Sequence, residues 1–237
     1  MTFEPANALH AARLIGDLYD DRLAPNIVSA DTDTQALVVE RLDHTVIVFP
    51  GTASLTDWKT DAKIRKAAWS AGRVHRGFAH ALDSVLSDLT ARLAAGARIA
   101  VAGHSLGGAL AMLCAHALAR RGERVFAVHT FGQPRVGNWN FALDYNSILH
   151  DETFRIVNAG DPVPKVPFVF GSYKHAGTEV YLGESGEAVI DHPMWTSVRE
   201  TISAARYHGD ELNSPVQRFN IPNHSLGTYI TKLEALA

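Results

Sequence analysis

The sequence predicts an α/β fold: a mostly parallel central sheet with helices on both of its faces. Short apolar segments rich in β-branched residues alternate along the chain with longer segments whose apolar residues recur at helical spacing. Consecutive parallel strands need a connection that crosses back over the sheet, so this alternation favours parallel pairing. The clearest unit spans residues 98–121, where an apolar strand passes through Gly-His-Ser-Leu-Gly-Gly into a helix rich in alanine and leucine.

The first predicted elements are a helix and two strands. Residues 5–20 carry apolar side chains near helical spacing, which predicts an amphipathic helix packed across the sheet. Residues 35–42 and 44–49 are predicted to be strands joined by a short turn at Asp43. Residues 46–49 are apolar at every position, as expected for a central strand that is buried on both faces.

Residues 55–73 allow two interpretations. The stretch contains Trp58 and Trp69, and it carries five Lys or Arg against two Asp between Asp57 and Arg73. Apolar side chains among many charges are compatible with a short lid over a site, but a solvated surface helix is the commoner structure for so charged a segment. Both interpretations stay open at this point.

The rest of the chain continues the alternation of helices and strands. Residues 75–93 predict a long helix, which Gly96 ends. After the helix that follows the central motif, residues 124–131 predict another buried strand, and residues 132–138 predict a loop that leads into a short helix. Residues 153–158 predict the next strand of the sheet.

Composition restricts the possible classes of protein. The chain has 237 residues, of which 46% are hydrophobic and 20% charged, and it contains no internal repeat or linker. We therefore expect one domain over residues 1–237. The net charge of −3 argues against a nucleic-acid partner. No apolar run approaches the roughly 20 residues that a transmembrane helix needs.

Cysteine content and the first residues bear on the compartment. Cys114 is the sole cysteine, so no intrachain disulfide can form and no oxidising compartment is required. The segment 1–7 carries an acid where a secretory signal would carry basic residues ahead of an apolar core. We expect a cytoplasmic protein by default. Secretion through a removed leader or another route is the alternative.

The segment Gly103-His104-Ser105-Leu106-Gly107 matches the G-x-S-x-G nucleophile elbow. In such an elbow a sharp turn from strand to helix holds the serine in a strained backbone conformation with its hydroxyl projecting above the sheet. Gly103 and Gly107 are expected because a Cβ at either position would clash where strand and helix crowd together. The first N–H groups of the helix and its positive dipole end would stabilise an oxyanion beside Ser105.

An oxyanion hole needs two N–H donors, one from the residue after the nucleophile and one from a loop after an earlier strand. Leu106 is the first candidate. Thr52 is the second, because it follows the strand predicted at residues 44–49. The alternative for this loop is an ordinary strand-to-helix turn with Ser54 as the N-cap.

A serine nucleophile requires a base that an acid orients, and proteins with this elbow present them in the chain order Ser, Asp or Glu, His. Asp161 directly follows the strand predicted at residues 153–158, which places it at the expected end of the sheet. Asp144 lies in a predicted helix, and Asp151 precedes its strand. Asp191 is the rival acid.

Four of the twelve histidines follow Asp161 in the chain. His224 is favoured as the base, because a strand and a loop precede it and a terminal helix follows it. The alternatives are His175 at the start of a predicted strand, His192 before a proline, and His208 at a helix C-terminus, where the dipole gives a histidine a structural role. No histidine or carboxylate pattern matches a metal-binding motif, so no metal or other cofactor is expected.

Several blocks of the chain together resemble the class 3 lipases, a family of fungal triacylglycerol lipases and related proteins. The blocks are Phe-Pro-Gly-Thr-Ala-Ser at 49–54 with Asp57, Trp58 and Asp61, Val-His-Arg-Gly-Phe at 74–78, the elbow at 103–108, Thr-Phe-Gly-Gln-Pro-Arg-Val-Gly-Asn at 130–138, Asn-Ala-Gly-Asp-Pro-Val-Pro-Lys-Val-Pro at 158–167, and His-Ser-Leu at 224–226 with Tyr229. The resemblance implies an α/β-hydrolase fold with a short lid segment.

Carried over residue by residue, the resemblance implies Ser105 as nucleophile, Asp161 as acid and His224 as base. It also implies an oxyanion hole of Thr52 and the Leu106 N–H. A further set of residues is implied to support the lid and the oxyanion hole: Asp61, which would hold the Thr52 hydroxyl when the lid opens, and Trp58.

The implied activity is hydrolysis of a carboxylic ester, with a lipase acting on acylglycerols or shorter-chain esters as the favoured form. A phospholipase A1-like or feruloyl-type esterase is an alternative, and a lipase-like binding or signalling module without turnover is a less favoured one. Three features depart from the family: the chain cannot form the disulfides usual in secreted fungal members, Pro50 stands where Arg is usual, and the candidate lid is cationic and only moderately apolar. We therefore expect only transient contact with lipid and a weak response to an oil interface.

Overall fold

The computed structural model describes residues 2–51, 65–167, 172–191 and 222–237. Within these ranges the helices are α1 (Pro5–Tyr19), α2 (Arg76–Ala91), α3 (Leu106–Arg120), α4 (Trp139–Leu149) and α5 (Leu226–Glu234), with short 3₁₀ turns at Val163–Lys165 and Pro222–His224. The strands are β1 (Ile27–Ser29), β2 (Thr34–Glu40), β3 (Thr45–Phe49), β4 (Lys66–Ala68), β5 (Arg73–His75), β6 (Arg98–His104), β7 (Arg124–Phe131), β8 (Thr153–Asn158), β9 (Thr178–Leu182) and β10 (Ala188–Ile190).

The central sheet has eight strands in the order β1-β2-β3-β6-β7-β8-β9-β10. The strands β3, β6, β7, β8 and β9 pair in parallel, and antiparallel strands close both edges, with β1 and β2 on one side and β10 on the other. The predicted mostly parallel sheet is confirmed. Its parallel strands carry their C-terminal ends to one edge, which is where ligands bind in such sheets.

Apolar side chains cover both faces of the sheet. Along β3, Ile47 and Phe49 pack into the cluster that includes residues of α2, α3 and α4, whereas Val46 and Val48 pack into the cluster that includes residues of α1 and α5. Side chains alternate between the two faces of a strand, so a strand with helices on both sides must be apolar throughout. This is why residues 46–49 lack a polar position.

Helix α3 lies deeper than its neighbours. Alanine and leucine, which are strong helix formers, make up much of it, and it is buried on nearly every side. A helix that is apolar all round belongs in an interior position. It gives Ser105, the residue that precedes it, a rigid support.

Some elements differ from the sequence-based expectation. Residues 66–68 and 73–75 form an antiparallel hairpin of β4 and β5, so the described end of the 55–73 stretch is not a helix. Helix α2 ends at Ala91, ahead of Gly96, and the three-residue strand β1 was not predicted. The first part of the candidate lid stretch, residues 55–64, lies outside the described residues. None of the helices in the described ranges is long and apolar enough to cross a bilayer.

Candidate active site

Ser105 occupies the sharp turn between β6 and α3, with φ 56° and ψ −123°. A Cβ on Gly103 would collide with the backbone of Gly107, and a Cβ on Gly107 would collide with the carbonyl oxygen of Phe49. The predicted need for glycine at both positions is therefore confirmed. The strained conformation of Ser105 is held by its own backbone N–H, which donates to the carbonyl oxygen of Phe131 over 2.9 Å.

Three side chains that are far apart in the sequence meet above the C-terminal edge of the sheet. Ser105 Oγ lies 2.9 Å from His224 Nε2, and His224 Nδ1 lies 2.9 Å from Asp161 Oδ2. All three residues are buried. Asp161 as a carboxylate can only accept, so His224 Nδ1 carries the ring proton and donates a hydrogen bond to it, which leaves Nε2 as the acceptor of the serine O–H. This tautomer is the one that can remove a proton from Ser105.

The Asp161 carboxylate is completely buried, and each of its oxygens has a donor. Oδ1 accepts the backbone N–H of Val163 at 2.8 Å. Oδ2 accepts the Tyr229 hydroxyl at 2.6 Å in addition to His224. Burial and the neighbouring charge of Asp161 raise the pKa of Tyr229 well above its usual value, so its hydroxyl stays a donor. Sequence reasoning placed Tyr229 in the histidine segment but did not predict this hydrogen bond.

The backbone around His224 is fixed by two further hydrogen bonds. The 3₁₀ turn Pro222–His224 precedes α5, and Asn158 Nδ2 at the end of β8 donates to the carbonyl oxygen of Asn223 over 2.9 Å. The Lys232 ammonium group in turn donates to Asn158 Oδ1 at 2.6 Å. The base is thereby tied to the strand that also leads into Asp161.

The rival acids lie elsewhere. Asp144 accepts a hydrogen bond from the buried His116 on α3, at 2.7 Å. Asp151 is exposed and lies beside His150. Asp191 is exposed after β10, where its backbone N–H donates to Glu179. Asp161 alone among these four carboxylates contacts His224 in the described part of the chain.

The rival bases are not brought to Ser105 within the described ranges. His175 is half-buried, and its Nε2 donates to the carbonyl oxygen of Pro164 over 2.7 Å. His192 and His208 lie outside the described residues. The described histidine that contacts the serine hydroxyl is His224.

The candidate oxyanion donors are described only in part. Leu106 is the first residue of α3, so its N–H has no acceptor inside the helix. This N–H lies at the N-terminus of α3, which is the positive end of the helix dipole. The earlier loop is described as far as Gly51, where an added Cβ would lie 3.2 Å from Ser105 Cβ. Thr52, Trp58 and Asp61 lie outside the described residues, so their roles stay predictions.

Comparison with known proteins decides the family. A sequence profile described as "Lipase (class 3)" matches residues 46–171, which is more than half of the chain. The chain belongs to the class 3 lipase family. The resemblance predicted from the sequence is thereby confirmed.

Relatives of the chain include fungal proteins. A protein named "Lipase" from Rhizomucor miehei is 33% identical over 184 residues, which cover 71% of this chain and 50% of the relative. The "Secreted mono- and diacylglycerol lipase 1" of Fusarium solani is 34% identical over 115 residues, which cover 46% of this chain and 34% of the relative. The class 3 lipase chain thus spans about half, or less, of these two sequences.

Solved structures of similar proteins share the fold. The triacylglyceride lipase of Rhizomucor miehei aligns with a TM-score of 0.67 at 27% identity, over 80% of this chain and 84% of that chain. A triacylglycerol lipase described as having a serine protease triad as its catalytic centre aligns with a TM-score of 0.61 at 28% identity, over 77% of this chain and 80% of that one. The α/β-hydrolase fold of the chain is thereby shown.

Proposed function

We propose that the protein is a serine carboxylic-ester hydrolase that works through an acyl-enzyme. The observation that carries the proposal is the continuous series of hydrogen bonds from Ser105 through His224 to Asp161, built at the N-terminus of α3. A serine hydroxyl becomes a useful nucleophile only when a base can take its proton and an acid orients that base. The nucleophile, the base and the acid proposed here are all buried side chains.

The proposed reaction has two halves. Ser105 Oγ attacks the ester carbonyl carbon while His224 Nε2 takes the hydroxyl proton, and the carbonyl oxygen becomes an oxyanion. The intermediate collapses, the bond to the alcohol breaks, and His224 returns the proton to the leaving alcohol. Water then attacks the acyl-serine in the same way, releasing the acid and restoring Ser105. Asp161 keeps its charge throughout and stabilises the imidazolium that forms.

We propose the backbone N–H groups of Leu106 and Thr52 as the oxyanion donors. Loss of one such donor in related chemistry costs about 100- to 1000-fold in turnover. Asp61 and Trp58 are proposed to support the Thr52 side of the site and the lid. The weak response to an oil interface that the cationic lid predicts remains part of this proposal.

Acylglycerols are the proposed substrate class. The relatives from Rhizomucor and Fusarium are named for triacylglyceride and for mono- and diacylglycerol, respectively, which supports an acylglycerol substrate. We propose transient contact with a lipid surface and no nucleic-acid partner. The cytoplasmic default is not confirmed, because the Fusarium relative is named as secreted.

The test is hydrolysis of p-nitrophenyl butyrate, with the rate measured from the release of p-nitrophenol. We expect rapid hydrolysis and complete inactivation by diethyl p-nitrophenyl phosphate, with the diethylphosphoryl group on the peptide that contains Ser105. Tributyrin, triolein, phosphatidylcholine and methyl ferulate then rank the substrates. A protein that hydrolyses none of these esters and takes no label would contradict the proposal and favour a binding module.

A second prediction concerns Gly132, which lies beneath the acid and the base. Its φ is 58°, and an added Cβ would lie 2.8 Å from both Asp161 Oδ2 and His224 Nδ1. We expect Gly132→Ala to lower kcat by about 100-fold, because displacement of catalytic groups by about 1 Å has an effect of this size. The measurement is kcat on p-nitrophenyl butyrate.

Gly96→Ala is the matched control for Gly132→Ala. Gly96 has a φ of 73°, but an added Cβ would meet nothing within 4 Å. Both variants therefore carry backbone strain of about 1–2 kcal/mol, but only the methyl group of Gly132→Ala would contact catalytic residues. A similar loss of kcat in both variants would show that the effect is not local to the site.

A further inference from the structure

A series of hydrogen bonds runs behind the nucleophile through two side chains that the proposed mechanism does not use. The backbone N–H of Gly51 donates to the Tyr19 hydroxyl oxygen at 2.6 Å. That oxygen lies 2.8 Å from His104 Nδ1, and His104 Nε2 lies 2.9 Å from the carbonyl oxygen of His224. The series therefore begins at the loop after β3 and ends at the backbone of the proposed base.

The donor and the acceptor of each hydrogen bond in this series can be assigned in only one way. The His224 carbonyl oxygen can only accept, so His104 Nε2 must carry the proton and donate. In the neutral ring Nδ1 is then an acceptor, so the Tyr19 hydroxyl must donate to it. The Tyr19 oxygen in turn accepts from Gly51. The donors all point the same way, from Gly51 towards His224, which is an arrangement in which neighbouring hydrogen bonds strengthen one another.

The ionisation of both side chains fits this arrangement. Burial, together with the nearby His224, lowers the pKa of His104 to about 3, so the ring is neutral at ordinary pH. Tyr19 as a whole residue is 43% exposed, but burial of its hydroxyl raises its pKa to about 12, against the smaller opposite effect of the Gly51 N–H. The centroids of the His104 and His224 rings lie 4.8 Å apart. At this distance a positively charged His104 ring would repel the imidazolium that His224 forms during the reaction, whereas a neutral ring does not.

The series spans Ser105. His104 is the residue before the nucleophile, and an added Cβ on Gly51 would lie 2.6 Å from the Tyr19 hydroxyl and 3.2 Å from Ser105 Cβ. Gly51 immediately precedes Thr52, the proposed second oxyanion donor. One end of the series thus holds the loop that leads to the oxyanion hole, and the other end holds the backbone of the base.

We propose that Tyr19 and His104 are positioning residues that set the spacing between the oxyanion loop and His224 on either side of Ser105. The inference rests on the ester-hydrolase function proposed above. Neither side chain contacts the reacting atoms. Their effect is expected on kcat, through the geometry of attack, and only weakly on KM.

The test is Tyr19→Phe, which removes one hydroxyl and leaves the ring in place. Its loss leaves the Gly51 N–H and His104 Nδ1 without this partner and frees the loop relative to the base. We expect kcat on p-nitrophenyl butyrate to fall about tenfold, as a displacement well below 1 Å would produce, with KM nearly unchanged. The rate of inactivation by diethyl p-nitrophenyl phosphate should fall in parallel, since it depends on the same nucleophile and oxyanion geometry.

Tyr145→Phe is the matched control. Tyr145 is fully buried, and its hydroxyl bonds to Thr153 Oγ1 at 2.8 Å, which joins α4 to the first residue of β8. Its removal also costs a hydrogen bond, so we expect a lower Tm with kcat unchanged. The double variant Tyr19→Phe/His104→Leu gives a further check. Because either change alone interrupts the series, the kcat of the double variant should be no lower than that of His104→Leu.

The outcomes separate the two proposals. An active wild type whose Tyr19→Phe variant retains full kcat, or loses kcat only as much as Tyr145→Phe does, would overturn the positioning role and leave the ester-hydrolase function intact. A wild type that neither hydrolyses esters nor takes the phosphoryl label would overturn the function itself. A selective loss of kcat in Tyr19→Phe supports both.

Discussion

Replacement of Ser105 by alanine is expected to lower kcat on p-nitrophenyl butyrate by about 10⁶-fold, the size of effect seen when a serine nucleophile is removed from such a triad. The substitution deletes the atom that lies 2.9 Å from His224 Nε2 and leaves the backbone with the same Cβ. The sharp turn at φ 56° is as accessible to alanine as to serine, so the fold should be retained. Initial rates and the Tm of both proteins provide the measurement.

Ser225→Ala is the control for this variant. Ser225 follows His224 directly, is exposed, and makes no capping hydrogen bond with its side chain at the start of α5. We expect its kcat to match that of the wild type. Equal rates for Ser105→Ala and the wild type would mean that hydrolysis, if seen, arises elsewhere, and would move the interpretation to a binding module.

The nucleophile elbow could be predicted because everything that defines it is local. Gly103, Ser105 and Gly107 lie within five residues, and the steric reason for both glycines is contained in the strand and helix on either side. Asp161 was also predictable, because parallel strands place the residues that follow them at one edge of the sheet. Its position after β8 is a consequence of topology that alternating strands and helices already indicate.

The hairpin of β4 and β5 could not be predicted from its own residues. Each strand has three residues, too few for a period of two to be recognised, and the charges around Lys66 suit a helix surface equally well. Its structure depends on contacts outside the segment, including the bridge from Val74 to Gly137 in the loop after β7. Such tertiary contacts override local preference.

The hydrogen bonds around the triad were missed for a related reason. The sequence motif that contains His104 indicated no hydrogen-bond partner for its side chain. Tyr19 lies 85 residues from His104, and Tyr229 lies 68 residues from Asp161. No pattern within one segment reports pairs at such separations. The only sequence signal for these two hydrogen bonds was the presence of a tyrosine in each predicted terminal helix, Tyr19 in the first and Tyr229 in the last.

Asp161→Asn is expected to lower kcat by about 10⁴-fold, as the same change does in a serine triad of this kind. The carboxylate accepts three donors, the Val163 N–H on one oxygen and His224 Nδ1–H and the Tyr229 hydroxyl on the other. An asparagine amide has one oxygen. Because the Val163 N–H is fixed by the backbone, the amide oxygen should turn to it and present the NH₂ group to His224.

His224 Nδ1 must then accept, so its proton moves to Nε2 and the ring can no longer take a proton from Ser105. This wrong tautomer, rather than the loss of a charge alone, makes the expected loss so large. Asp191→Asn is the control, because Asp191 is the rival acid from the sequence and lies exposed after β10. Its kcat should equal that of the wild type. A crippled Asp191→Asn beside an active Asp161→Asn would exchange the two assignments and would require a different partner for His224.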